Sequence, residues 1–156
     1  MLSIEISNRQ NVLKLDPQRI ERAAEAILRD AGLTEAELSI ALVDDSTIHA
    51  LNRQYLEHDY PTNVLSFLLE RVGTQLEGEV IASAEMAVRS AGRYGWSAED
   101  ELLLYAIHGT LHLVGHDDGT PHECAVMRTQ EERYLALFGL SMRDEPLADG
   151  AAASED

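Results

Sequence analysis

The chain has 156 residues, the size of one ordinary domain, and 45% of them are hydrophobic, enough for a proper core and too many for a disordered chain. Its 28 acidic residues against 12 basic ones give a net charge of −16, which works against a broad phosphate-binding surface, because affinity for nucleic acid rests on Lys and Arg. No apolar run approaches membrane-spanning length, the first residues lack the pattern of a signal peptide, and the single cysteine, Cys124, excludes an internal disulfide, so a soluble cytoplasmic protein is expected.

Leu2, Ile4 and Ile6 alternate with polar residues and predict a strand with one buried face. Asp16-Pro17 opens a helix as N-cap and first helical residue; Ile20, Ala23, Ala24, Ile27 and Leu28 form its apolar stripe and Gly32 closes it. Leu38 to Val43 reads as a second strand. Asp44 caps a second helix with Ile48, Leu51 and Tyr55 on one face, and Pro61 keeps the polar turn after it from continuing as helix. Val64 to Leu69 is a strand too apolar to have a free face, and Gly78 to Ala82 is its hairpin partner across a loop at Gly73. Ser83 to Tyr94 is a helix with Met86, Ala87 and Ala91 inward. Ser97 then caps a leucine-rich helix that runs to His108 and His112, and Thr120-Pro121 opens a last helix ending near Gly139. Strands early and helices late predict an α+β domain, a small mixed sheet packed against helices, with the very apolar helix at its centre. The single domain is expected over 1–143. From Asp144 onward there are five acids and no base, leaving −11 on the rest, and 144–156 is expected to be a disordered acidic tail.

The chemistry concentrates in His108-Gly109-Thr110-Leu111-His112-Leu113-Val114-Gly115-His116-Asp117-Asp118. Histidines four apart on a helix share one face, one turn apart. Gly115, three residues after His112, suits a left-handed helix end, after which the chain can bring a further side chain back to the pair. Asp118 has the spacing of a third ligand in H-x-x-x-H-x-x-G-x-x-[H or D]; His116, His122 and, behind them, Asp117 compete for that role. A transition ion on nitrogen and oxygen donors with an open position is the expected site. Cys124 lies nearby but is expected to be a small core residue. In H-E-x-x-H peptidases a glutamate after the first histidine is the general base. Gly109 stands there and cannot move a proton, so a peptidase is disfavoured. Hydrolysis would rest on His108 and His112 through a metal-acidified water, with no separate general base, and phosphodiester cleavage suits such a site. Two imidazoles and one carboxylate suit zinc, and also iron or manganese.

Two further strings make the sequence similar to a known family. Leu51-Asn52-x-x-Tyr55 is followed by Asp59-x-Pro61-Thr62-Asn63-Val64-Leu65-Ser66-Phe67, and the second string is His108-Gly109-x-Leu111-His112-Leu113-x-Gly115, with Gly78-Glu79-Val80-Ile81 as a supporting match. The chain resembles, over most of 1–140, the YbeY family of metal-dependent endoribonucleases that act in ribosomal RNA maturation and ribosome quality control. The resemblance implies an α+β fold with one zinc ion in a cleft between sheet and helices. It also implies a single-strand-specific endoribonuclease that processes the small-subunit ribosomal RNA 3′ end, and as partners ribosomal RNA and the small subunit or its assembly factors. No membrane or DNA partner is expected.

The chain departs from the family pattern at four positions. Asp118 stands where the family usually has a third histidine, and His116 where it has tyrosine. Leu56 replaces an arginine that follows the position of Tyr55, and Leu68 a proline. Arg53, His58, Arg89 and Arg93 are the candidates to replace that arginine, Asn63 and Ser66 are further polar residues of the expected cleft, and Arg53, His58, Asn63 and Arg89 are the candidate RNA contacts. Leu56 and the net charge leave a second function open, a ribosome-assembly binding factor with a structural metal.

Overall fold

Each of the five helices starts on a side-chain cap; four of the caps are expected from the sequence, and the fifth, Ser83, is read there as the first helical residue. Asp16, Asp44, Ser83, Ser97 and Thr120 accept from the backbone amides of Gln18, Thr47, Met86, Asp100 and Glu123. The computed structural model describes residues 1–60 and 62–143; Pro61 and the expected tail at 144–156 lie outside the described residues. The element order is β1 (Leu2–Asn8), α1 (Pro17–Asp30), β2 (Glu35–Val43), α2 (Asp45–Leu56), β3 (Val64–Val72), β4 (Gln75–Ser83), α3 (Ala84–Tyr94), α4 (Ala98–Leu113), α5 (Pro121–Leu135) and a 3-10 turn at Ala136–Phe138.

The fold is α+β. One four-stranded sheet has the order β1-β2-β4-β3, with β1, β2 and β4 parallel and β3 antiparallel on β4. Helix α1 makes the crossover between β1 and β2. A two-residue turn at Gly73-Thr74, with Gly73 at φ 57°, joins β3 to β4, because Val72 pairs with Gln75. Leu38, Ile40 and Leu42 of β2 and Leu76, Val80 and Ala82 of β4 face the main core, where α1, α4 and α5 meet them. Helix α4 is apolar all round and nearly every residue from Glu101 to Leu113 is buried, as a helix at the centre of a domain must be. The opposite sheet face carries a small second core of Val43, Ile48, Leu65 and Ile81 under α2.

Two glycines let α4 lie close on the sheet. A Cβ at Gly109 would come within 2.7 Å of Val80 Cγ1, and one at Gly78 within 3.0 Å of Leu113 Cδ1. Ser66 Oγ adds a buried hydrogen bond to the Gly109 carbonyl at 2.9 Å, so Ser66 is occupied in holding α4 to β3. At the end of the described chain Arg143 is buried, 3.1 Å from Glu101 and 3.6 Å above the Tyr94 ring, and ties this end to the corner between α3 and α4.

Three expectations about packing are corrected. β2 begins at Glu35 rather than Leu38. Leu68 and Leu69 are about half exposed, although the apolar run predicted no free face. β3 is an edge strand, a bulge follows Leu68, and only Val64 to Ser66 are covered on both sides. Tyr55 is exposed rather than part of an inward stripe with Ile48 and Leu51; its ring meets the Phe67 ring edge-on, with centroids 5.7 Å apart.

Candidate metal centre

Helix α4 ends one residue after His112, at Leu113, in a double backbone bond. Gly115 N–H donates to His112 O and His116 N–H to Leu111 O, with Gly115 at φ 109°. This is the Schellman ending that a glycine at that position favours, and it turns the chain back on the helix. Cys124 is exposed, not a core residue, because it lies on the solvent side of the first turn of α5; its Sγ donates to the Asp118 carbonyl at 3.0 Å and braces the loop.

The returning loop sets Asp118 against the two histidines. His108 Nε2 and His112 Nε2 are 3.1 Å apart, and Asp118 Oδ2 is 3.4 Å from the first and 3.5 Å from the second. Three donor atoms around one tetrahedral ion with bonds of about 2.0–2.1 Å are separated by about 3.3 Å. The trio therefore has the spacing of one face of such a tetrahedron. Two imidazole nitrogens turned toward each other also need a proton or cation between them, and Asp118 Oδ1 is buried with no hydrogen-bond partner, which leaves carboxylate capacity unspent. His108, His112 and Asp118 are the group among the described residues whose side chains can hold a metal ion. The trio lies just beneath the surface, with the side chains of His112 and Asp118 5% and 11% exposed.

The electrostatics agree. Burial by itself lowers the pKa of His108, but hydrogen bonds to Asp118 and Glu131 and their charges outweigh it and raise the value to about 9. Burial raises the Asp118 pKa, and the two histidines more than reverse this and hold it well below the ordinary carboxylate range. The site is built to hold positive charge.

The competing ligands lie elsewhere. His116 faces a hollow between α1 and α5 lined by Ile27, Asp30 and Tyr134, and His122 is exposed at the start of α5. Asp117 is exposed, with its Oδ1 4.0 Å from His112 Nδ1. Gly109 points at the sheet, so a glutamate there would meet Val80 and Val64 and not the trio.

One residue of the site escaped sequence reasoning. Glu131 of α5 is buried and its Oε2 lies 2.5 Å from His108 Nδ1. The signal was present: α5 buries Met127, Glu131, Tyr134 and Leu135, so a carboxylate sits on an otherwise apolar helical stripe.

The expected RNA contacts are less concentrated. Arg53 is exposed and 3.9 Å from Asp59; His58 stacks on Tyr60 at 5.5 Å with its Nδ1 buried and unpartnered. Asn63 is buried, its carbonyl accepts from Ser83 N–H, and its Oδ1 has no partner. Arg89 is ion-paired with Asp45 at the start of α2. None of the four is hydrogen-bonded or ion-paired to the trio. Leu56 packs under α2 in the second core, so an apolar contact has taken the place of the family's arginine.

Fold and trio together define a class: a small α+β domain whose central helix and following loop present two imidazoles and a carboxylate to one point. Comparison with known proteins narrows it. The family model described as Endoribonuclease YbeY matches residues 5–139. Proteins named Endoribonuclease YbeY are similar to this chain in Rhodopirellula baltica, at 40% identity over 91% of this chain and 75% of the relative, and in Syntrophotalea carbinolica, at 41% over 85% and 93%. The Moorella thermoacetica protein of that name is 44% identical over 78% of this chain and 84% of its own. The solution structure of TM1509 from Thermotoga maritima shares the fold, with a TM-score of 0.60 and 23% identity over 89% of this chain and 92% of that one. The chain belongs to the YbeY family.

Proposed function

We propose that this protein is a metal-dependent endoribonuclease that cuts single-stranded RNA in the maturation of small-subunit ribosomal RNA and in ribosome quality control, in the cytoplasm. The observation that carries the reading is the convergence of His108 Nε2, His112 Nε2 and Asp118 Oδ2 within 4.8 Å of one another in a chain whose family is named for endoribonuclease activity. His108, His112 and Asp118 would hold one zinc ion, and the same donors also accept iron or manganese. A divalent ion bound there supplies Lewis-acid stabilisation of charge on phosphate oxygens and lowers the pKa of water.

The chain's own residues position and exclude. Ser66 and the glycines at 78 and 109 fix α4 against the sheet, the Gly115 turn delivers Asp118, and the buried walls around His108 keep water from its ring. Glu131 is committed to His108 and is not available as a separate general base. Arg53 and Arg89, each more than half exposed, and His58 and Asn63 at the turn before β3 are proposed to contact RNA. The small ribosomal subunit or its assembly factors are the proposed partners, and 1–143 the working domain.

Three donors are one short of the four that a structural zinc takes, which favours the enzyme over a binding factor with a structural ion. The test is cleavage of an end-labelled single-stranded ribosomal RNA fragment, with its duplex as control. Cleavage should be lost on chelation, return with added zinc and be absent from His112→Ala. Cleavage by the chelated protein or by His112→Ala as fast as by untreated wild type would contradict the proposal.

A further inference from the structure

Of the two histidines in the trio, only one is held from behind. His108 Nδ1 meets Glu131 Oε2 at 2.5 Å, and both side chains are almost completely buried. Among the described residues, the charged partner of His112 Nδ1 is the exposed Asp117, at 4.0 Å, beyond hydrogen-bond range. Glu131 sits among Met127, Tyr134 and Leu135, where a carboxylate contributes nothing to packing and is costly to bury without a compensating charge. The compensation lies along one line: Glu131, the His108 ring, and the point where His108 Nε2, His112 Nε2 and Asp118 Oδ2 converge.

We infer that Glu131 is a positioning residue of the metal centre: it accepts the Nδ1 proton of His108, fixes the ring with Nε2 free toward the ion, and supplies the second negative charge that balances a divalent cation. The inference rests on the reading of the trio as a metal centre. Carboxylate–histidine–metal arrangements of this kind set both tautomer and ring orientation, and loss of the carboxylate weakens metal binding by about 10- to 100-fold. The centre is then lopsided. Helix α5 holds the His108 side rigid, and the His112 side depends on α4 alone. A divalent ion, Asp118 and Glu131 together are close to neutral, so the ion's pull on an incoming phosphate is gentler than at a three-histidine site.

The experiment is chelator competition with Co2+ and Zn2+ on the full chain, comparing wild type with Glu131→Gln, Glu131→Ala and Asp117→Ala. The thermal midpoint of each metal-free protein is recorded alongside. Glu131→Ala should bind either ion about 10- to 100-fold more weakly. Glu131→Gln, whose amide oxygen still accepts from Nδ1, should fall between it and wild type. Asp117→Ala, which removes one charge from an exposed position, should stay within about twofold. In zinc-loaded wild type, 15N spectra should show His108 protonated at Nδ1. Wild-type affinity in Glu131→Ala overturns the inference while leaving the trio as a metal centre; a wild type that binds neither ion refutes the centre itself. If Glu131→Ala does not fold, Glu131→Gln decides, and an affinity equal to wild type overturns the inference.

Discussion

The two faces of the sheet are built on opposite rules. The face under α4 is apolar and tight, with glycines at 78 and 109 where an added Cβ would collide with Leu113 and Val80. The other face, beyond the cover of α2, carries Glu5, Glu35, Glu37, Glu77 and Glu79, and β2 and β4 set Glu37 directly opposite Glu77. Directly opposed like charges weaken a sheet. The difference teaches where the chemistry can be. A polyanion is repelled from the open face, and positive charge is called for at one buried point on the helical side, where Asp118 and Glu131 converge on His108. The net charge that argued against nucleic acid is thus partly accounted for by a surface that the substrate need not touch.

The contrast can be broken from either side. The largest effect is expected at the trio: His108→Ala should lower RNA cleavage by more than about 100-fold, beyond the range for residues that only support a ligand, as read in single-turnover assays. Next comes Asp118→Ala, which removes the carboxylate that alone returns from the loop. Metal affinity should fall about 10-fold or more by chelator competition. Unchanged affinity would move the third ligand to His116 or His122.

Gly109→Ala tests the tight face. Its methyl meets Val80 Cγ1 at 2.7 Å, and about 1–3 kcal/mol of stability should be lost, as a lower urea midpoint with unchanged slope. The pH dependence of the metal-free protein comes next. The His108 pKa rises from 6.5 to about 9 in the fold, so its contribution to stability is complete below pH 6.5 and is lost as pH rises through about 9. The denaturation midpoint of chelated protein should fall across that window, and metal affinity should rise across it as the competing proton leaves. The smallest effect belongs to the open face: Glu37→Lys, opposite Glu77, should add about 0.2–1 kcal/mol and leave cleavage of RNA unchanged.

Much of this was readable in the sequence, because the signals were local. Four of the five caps, the apolar α4 and the Gly115 turn follow from spacing and residue type within one or two turns of chain. So does the meeting of Asp118 with the two histidines, since the loop is too short to take it far. What escaped depended on distant neighbours. Glu131 is 23 residues from His108, and only the packing of α5 on α4 joins them. The exposure of Leu68, Leu69 and Tyr55 follows from β3 being an edge strand, which hydrophobic pattern alone does not reveal. Cys124 looked like a core residue and is instead a surface brace for the Asp118 loop. The Leu56 side chain, absorbed in the second core, shows why a family arginine can be absent without leaving a hole.

Whether the trio holds one catalytic ion is decided by metal content, measured by elemental analysis of purified wild type beside His112→Ala. About one zinc, iron or manganese ion is expected per wild-type chain and almost none in the variant. Equal metal in the two proteins, or none in wild type after reconstitution, would contradict that expectation.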